Sequence, residues 1–145
     1  MTEVLKLENI ILNQKAETSE AVIRRVGCML VDNGYVKERY IEGMLARDKT
    51  SSCAIGNSIA IPHGEIEYKK DIVSTGLVVI TYPDGVEWNG KTVRLVVGIA
   101  AKGDEHVDIL GNIVDALEDE ADVIKLVNTG DKQAIYQMLT ATGGV

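Results

Sequence analysis

Residues 77–101 read LVVITYPDGVEWNGKTVRLVVGIAA, and this stretch decides the fold class. The dipeptide Asn89-Gly90 stands between the β-rich segments Val86–Trp88 and Lys91–Val93. Asn-Gly flanked by such residues is the strongest short hairpin signal, because both central residues of the preferred turn need a positive φ. The sequence therefore predicts two antiparallel strands joined at Asn89-Gly90.

Apolar runs extend from both arms of this hairpin. Val93–Ala101 is a nearly unbroken apolar run, which indicates a strand with both faces covered. Leu77–Tyr82 is a second β-rich run, and Pro83-Asp84-Gly85 follows it. That combination is typical of a turn, since proline fixes φ, aspartate can bond the backbone and glycine tolerates a positive φ. We therefore expect a turn to end this strand.

Segments with helical spacing lie on both sides of this region. Upstream, Thr18 or Ser19 can cap a first helix, Gly34 can end it, and a second helix runs out around Arg47-Asp48-Lys49. The positions with the helical pattern are Val22, Val26, Met29, Leu30, Tyr40, Ile41, Met44, Leu45, Leu110, Ile113, Val114, Leu117 and the segments 123–127 and 132–139. The remaining predicted strands are Val4–Leu12 and Ser58–Ile61. Helices before and after a set of strands predict an α/β fold, with a mixed β-sheet covered by helices on its faces, as a single compact domain over residues 1–145.

The composition excludes several classes of protein. Apolar residues make up 46% and charged residues 26% of the 145 residues, a globular mixture that excludes a disordered chain. The 15 basic and 22 acidic residues leave a net charge of −7, which opposes nucleic-acid binding and would attract a basic partner. The longest apolar run, Leu95–Ala101, is too short to span a membrane, and Met1–Asn13 lacks the pattern of a signal peptide. We therefore expect a cytoplasmic protein without membrane insertion.

The first candidate for chemistry is His63, in the tetrapeptide Ile61-Pro62-His63-Gly64. Proline constrains the backbone before the imidazole, and glycine lets the chain approach another molecule closely because it has no Cβ. The motif follows a short predicted strand, and α/β sheets usually place their chemistry at strand ends. A polar residue in an ordinary turn is the alternative, and these residues alone leave both interpretations open.

The second candidate is His106, which follows the long apolar strand in Asp104-Glu105-His106-Val107. Asp104 can cap the next helix, which places His106 in the first turn. A helix N-terminus disfavours the imidazolium and favours nearby anions, so a neutral His106 beside an anionic ligand is one interpretation. An ordinary surface histidine is the other.

Arg47 could bind phosphate, because a guanidinium donates two parallel hydrogen bonds where lysine offers only a point charge. It also lies at the end of a predicted helix, where the dipole favours any cation. Substitution of Asp48 or Lys49 would change the charge beside Arg47 without removing its paired hydrogen-bond donors, so we expect both positions to serve as controls. Of the two cysteines, Cys28 is predicted to be a small core residue, and Cys53 is either a buried thiol or a nucleophile.

Motifs for cofactors and metals are missing from the sequence. It has no Gly-x-Gly pair for a dinucleotide, and Gly90-Lys91-Thr92 lacks the upstream glycine of a phosphate-binding loop. Zinc could use both histidines with a nearby glutamate, Glu65 or Glu105, but no His-x3-His or Cys-x2-Cys spacing supports a zinc site. We therefore expect no cofactor and no metal.

Three segments together resemble one known family: residues 47–49 (Arg-Asp-Lys), 56–64 (GNSIAIPHG) and 98–106 (Gly-Ile-Ala-Ala…Glu-His). Their order and intervals are similar to those of the enzyme IIA component of the bacterial sugar phosphotransferase system, in its mannitol/fructose class. The likeness covers essentially the whole chain, and residues 85–90 (GVEWNG) are most similar to mannitol-type members. The chain departs from the common pattern at Thr50–Cys53, which leaves open whether Cys53 lines the site.

This resemblance implies a phosphoryl carrier. His63 would accept a phosphoryl group from the phosphocarrier protein HPr, as tele-phosphohistidine, and pass it to a cysteine of the cognate IIB component. His106 and Arg47 match the family's other active-site residues, and we expect backbone N–H groups near Gly64 to donate to the phosphoryl oxygens as well. The chain lacks the IIB cysteine loop and a membrane domain, so we expect it to work with separate IIB and membrane IIC components.

Two alternative functions stay open. A regulatory IIA of the nitrogen-linked type would use the same histidine relay to control other proteins rather than to import a sugar. A zinc-dependent hydrolase would use both histidines as ligands.

Overall fold

A five-stranded sheet forms the centre of the molecule, in a computed structural model that describes residues 5–64, 66–102, 111, 115 and 117–140. In chain order the elements are β1 (Leu5–Ile11), α1 (Ser19–Asp32), α2 (Tyr40–Thr50), β2 (Ala54–Gly56), β3 (Ile59–Ala60), a 3-10 helix (Ile66–Asp71), β4 (Gly76–Trp88), β5 (Lys91–Ala100), α3 (Glu120–Asn128) and α4 (Lys132–Thr140). The prediction of an α/β fold is confirmed.

The sheet is mixed, as the sequence predicts. Its strand order is β1-β4-β5-β3-β2, with β1 parallel to β4 and β3 parallel to β5, while β4/β5 and β2/β3 are antiparallel pairs. The pairing of Ala60 with Val96 is extended by a hydrogen bond from the Ile99 N–H to the Pro62 carbonyl, at 3.0 Å. Because β3 and β5 are parallel, their carboxyl ends meet at one edge of the sheet.

Helices cover both faces of the sheet, which explains the continuous apolar runs. Along β4, Val78 and Ile80 pack with α1 and α2, while Leu77 and Val79 pack with α3 and α4. Alternate side chains of a strand point to opposite faces, so a strand between two helical layers needs apolar residues at every position. Val26 of α1 packs so closely on β5 that Gly98 has no room for a Cβ.

The predicted hairpin is confirmed, but the predicted turn before it is wrong. Asn89 and Gly90 have φ of 51° and 85°, and Trp88 pairs with Lys91 across them. Pro83-Asp84-Gly85 does not reverse the chain, because β4 continues through it. The register shifts there: β4 advances from Thr81 to Val86 while β5 covers only Val93–Leu95. These residues therefore form a bulge inside a strand, where the proline needs no ladder partner.

The predicted helices agree with the structure where it describes them. Thr18 caps α1, its hydroxyl accepting from the Ala21 N–H at 3.1 Å, and Gly34 follows the helix with φ of 75°. The first three of the C-terminal positions with a helical pattern lie outside the described residues, and Leu117 is buried against α3 and α4. Strand β2 and the 3-10 helix are additions that the sequence did not predict.

Candidate active site

His63 lies just beyond β3, at the sheet edge where β3 and β5 end. Its side chain is half-buried, and Nδ1 is 2.8 Å from the carbonyl oxygen of Ile61. A carbonyl only accepts hydrogen bonds, so Nδ1 carries the proton and donates it. The lone pair of the neutral ring is then on Nε2, the nitrogen farther from the backbone.

The backbone amides of the segment Ile61–Gly64, here called the His63 loop, are hydrogen-bonded inside the protein. The Ile61 N–H donates to the Cys53 carbonyl at 2.9 Å, and the His63 N–H donates to the Cys53 thiol. The Gly64 N–H donates to the Tyr40 hydroxyl at 2.8 Å. The expectation that amides near Gly64 donate to phosphoryl oxygens is therefore wrong for these positions, since each donor already has a buried acceptor.

Glycine is needed at position 64 for an internal reason. A Cβ there would lie 2.6 Å from Cε1 of Tyr40, which is 2% exposed and belongs to the first turn of α2. A contact that short would force the loop or the ring to move. Gly64 thus allows a close approach to the protein's own Tyr40.

Cys53 accepts hydrogen bonds from the His63 loop but is not a nucleophile. The residue is 2% exposed, and burial, followed by the charge of Asp48, raises the pKa of its thiol to about 11. A thiol in that state stays protonated at neutral pH and is chemically inert. The buried alternative is confirmed for Cys53. The prediction of a core residue is wrong for Cys28, which lies on the exposed side of α1.

Asp48 organises the segment between α2 and β2. Its Oδ1 accepts from the Cys53 backbone N–H and from Nε1 of the fully buried Trp88, both at 2.9 Å. Asp48 is therefore unsuitable as a charge control for Arg47. The sequence holds one signal for this role: a carboxylate in the last turn of a helix opposes the helix dipole and needs a compensating contact.

Arg47 lies in the last turn of α2. Its Nη1 donates to the Ser51 carbonyl at 2.6 Å, and its charge acts to lower the pKa of Cys53. The first contact is the helix-end role that the sequence allowed. The hydrogen bond to Ser51 uses one of the five N–H groups of the guanidinium. The charge of Arg47 therefore acts on Cys53, and the thiol of Cys53 in turn accepts from the His63 N–H.

His106 and its neighbours Asp104 and Glu105 lie outside the described residues, as does Glu65. The chain enters that segment from the end of β5, next to the edge that holds His63. Within the described ranges, no group of three or more histidine, cysteine, aspartate or glutamate side chains is arranged to hold a metal ion. The same residues contain no helix long and apolar enough to cross a membrane.

Comparison with known proteins adds independent evidence. Residues 3–142 match the family described as phosphoenolpyruvate-dependent sugar phosphotransferase system, EIIA 2. The chain is 43% identical, over 132 residues, to the mannitol-specific phosphotransferase enzyme IIA component of Bacillus subtilis (strain 168), covering 90% of this chain and 92% of that protein.

Solved structures give the same family and fold. The complex of enzyme IIA(Mtl) and phosphorylated enzyme IIB(Mtl) from Escherichia coli matches with a TM-score of 0.86 and 38% identity, covering 94% of this chain and 99% of that one. Nitrogen regulatory protein IIA-Ntr from Neisseria meningitidis matches with a TM-score of 0.81, covering 94% and 97%, but its 20% identity shows a shared fold alone. With a family match over nearly its whole length, a histidine at the end of β3 and relatives that are mannitol IIA components, the chain belongs to the EIIA 2 family of the sugar phosphotransferase system.

Proposed function

We propose that this chain accepts a phosphoryl group from phosphorylated HPr on Nε2 of His63 and passes it to a cysteine of a mannitol-specific IIB component. The observation that carries the proposal is the 2.8 Å contact between Nδ1 of His63 and the Ile61 carbonyl. It orients the ring and puts the nucleophilic lone pair on Nε2.

The same contact supports the chemistry of transfer. A bond forms between Nε2 and phosphorus while the bond from phosphorus to the HPr donor breaks, and the imidazole ring gains positive charge. The Ile61 carbonyl, as acceptor of the Nδ1 proton, stabilises that charge and keeps the ring in one orientation. In the second step the Nε2–phosphorus bond breaks as the IIB thiolate attacks, so His63 returns to its neutral form.

Arg47 and His106 are proposed to stabilise the group in flight. Phosphoryl transfer passes through a loose transition state with charge on three oxygens, so catalysis rests on positioning and electrostatics. What supports Arg47 is that its charge acts on Cys53, whose thiol accepts from the His63 N–H, and that its guanidinium offers a fork of N–H donors. His106 is proposed to donate one hydrogen bond without forming a covalent bond. His106→Ala should therefore still be phosphorylated by HPr, but pass the group on more slowly.

The relatives support mannitol as the sugar. Relatives that are 43% and 37% identical are named mannitol-specific, and one solved relative is a complex of IIA with phosphorylated IIB. In Escherichia coli the matching region belongs to a mannitol-specific EIICBA component, of which this chain covers 22%. We therefore propose a IIB and a membrane IIC component as partners, in the cytoplasm at the membrane surface. The net charge of −7 suits a donor with a basic face, as HPr would need.

The test is an incubation of the full chain with phosphoenolpyruvate, enzyme I and HPr. Mass spectrometry should show the gain of one phosphoryl group, mapped to the peptide that contains His63, and phosphorus NMR should place it on Nε2. Onward transfer to a mannitol-specific IIB should follow. Label on another residue would refute the role of His63, and labelling without transfer to any sugar-specific IIB would favour the nitrogen-type regulatory alternative.

A further inference from the structure

Tyr40 connects the His63 loop to the end of β5. Its side chain is 2% exposed, and its hydroxyl oxygen is 2.8 Å from the Gly64 nitrogen. The same hydroxyl donates a longer hydrogen bond, of 3.4 Å, to the carbonyl of Ile99 near the end of β5. One buried group therefore accepts from the His63 loop and donates to the strand beside it.

The hydroxyl can serve both segments only in its neutral form. A phenol accepts with its oxygen lone pairs and donates its single proton, so both contacts can exist at once. Burial raises the pKa of Tyr40, the contact with Gly64 acting in the opposite direction, so the group keeps its proton at neutral pH. The geometry and the protonation state are consistent with each other.

We propose that Tyr40 is a positioning residue of the phosphoryl relay, whose hydroxyl fixes the His63 loop against the end of β5. The inference rests on the proposed function of His63. Without the hydroxyl, the peptide group between His63 and Gly64 loses its acceptor and gains freedom to rotate. The direction in which Nε2 points would then vary, and a misalignment of about 1 Å can slow transfer by a factor of ~100.

Tyr40→Phe is the direct test, because it keeps the ring that packs against Gly64 and removes only the hydroxyl. Two other buried tyrosines provide matched controls. Tyr82 is fully buried, and its hydroxyl donates to Oε2 of Glu17 at 2.7 Å, remote from the His63 loop in sequence and contacts. Tyr35 is 2% exposed, and its hydroxyl has no hydrogen-bond partner among the described residues. Each control therefore makes the same chemical change outside the loop.

The experiment measures single-turnover phosphorylation of the full chain and of the three variants over a range of phospho-HPr concentrations. We expect the limiting rate of Tyr40→Phe to fall roughly 10- to 100-fold, with little change in the half-saturating concentration, since Tyr40 is too buried to touch HPr. Tyr82→Phe and Tyr35→Phe should stay within twofold of the parent. Nitrogen-15 NMR should show a mixture of His63 tautomers in Tyr40→Phe and a single one in both controls.

Three outcomes would overturn the inference. A limiting rate for Tyr40→Phe that matches Tyr82→Phe refutes the role of Tyr40 and leaves the proposed function standing. A parent that takes no phosphoryl group on His63 refutes the proposed function itself, whatever the variant does. The parent alone provides a further check that needs no folded variant: the Gly64 amide should exchange slowly with solvent, and rapid exchange would contradict the hydrogen bond to Tyr40.

Discussion

The two ends of the short strand β3 are held by different kinds of groups. At its start, Gly56, Asn57 and Ser58 have φ of 100°, 54° and 66°, so two non-glycine residues adopt a left-handed backbone. At its end, none of the residues from Ile61 to Gly64 has a positive φ. The strained end of this strand is therefore not the end that carries the proposed phosphoryl acceptor, His63.

Polar side chains hold the strained end in place. The Asn57 side-chain amide donates to the Glu118 carbonyl at 2.8 Å, and the Ser58 hydroxyl donates to Oε2 of Glu120 at 2.7 Å. Nη1 of Arg94 donates to the same hydroxyl at 3.0 Å. These contacts connect the turn to the start of α3 and to β5. They offset a left-handed backbone that costs about 1–3 kcal/mol at a non-glycine residue.

At the His63 end, main-chain amides are fixed by buried residues, and the imidazole remains the half-buried group. Under the proposed function, the backbone at this end positions the ring, and the imidazole side chain carries the chemistry. Substitutions at the His63 end should therefore change the rate of transfer more than stability. Substitutions at the Ser58 end should change stability alone.

The largest expected effect is that of His63→Ala. The variant should accept no phosphoryl group from HPr, because it lacks the imidazole that we propose as the nucleophile. Its fold should be unchanged, since His63 is half-buried at a strand end rather than in the core. Mass spectrometry after incubation, with circular dichroism as the folding control, tests both parts. A phosphorylated mass equal to that of the parent would contradict the prediction.

Arg47→Lys separates charge from geometry. If the guanidinium donates to the phosphoryl oxygens, loss of one charge-assisted hydrogen bond should raise the activation free energy by about 1.5–3 kcal/mol. That increase corresponds to a single-turnover rate lower by roughly 10- to 150-fold. Exposed Lys49, next to Asp48 at the end of α2, is the matched control, and Lys49→Gln should be nearly silent. A rate for Arg47→Lys within twofold of the parent would remove Arg47 from the site and leave only its bond to Ser51.

Asp48→Ala should lower both stability and rate. It leaves Nε1 of the buried Trp88 and the Cys53 N–H without their acceptor. Each buried donor without an acceptor costs about 1–3 kcal/mol, so for the two donors together we expect urea unfolding to show a loss of about 2–6 kcal/mol. Asp48→Asn keeps an acceptor oxygen and should recover most of both losses. Equal effects of the two substitutions would mean that the charge, not the hydrogen bonds, is what matters.

Ser58 variants test the strained end. Ser58→Ala removes two hydrogen bonds and keeps the left-handed backbone, so it should destabilise the protein by about 1–2 kcal/mol. Ser58→Gly removes the same bonds but relieves the strain, and should be about 1 kcal/mol more stable than Ser58→Ala. Transfer rates of both should stay within twofold of the parent. A Ser58→Ala variant that is fully folded but transfers the phosphoryl group slowly would contradict the division of roles between the two ends of β3.

The smallest effect concerns the thiols. At pH 8 only about one Cys53 in a thousand would be ionised, given its pKa of about 11, so iodoacetamide should label exposed Cys28 and spare Cys53. The raised pKa also means that Cys53 favours the folded state fully below the pKa of the unfolded thiol. That contribution is lost as pH rises toward 11. Labelling of Cys53 in the folded protein, measured by mass spectrometry, would contradict its burial.

Local patterns in the sequence determined much of this protein. Asn89-Gly90 predicts its hairpin because the turn needs a positive φ at both residues, and the alternating core faces follow from apolar residues at every position of Leu77–Ile80. The motif around His63 can also be identified from the sequence, since the resemblance depends on residues close together in the chain. Each of these features is encoded within a few residues.

Only the tertiary structure decided how those residues are used. The bulge at Pro83-Asp84-Gly85 exists because β5 pairs on both sides of it, although the same residues alone would favour a turn. The Gly64 amide is held by Tyr40, and Asp48 joins the end of α2 to Trp88, through contacts between residues 24 and 40 positions apart. Such partners depend on which elements pack together, and the local backbone preferences that a sequence displays do not contain that information.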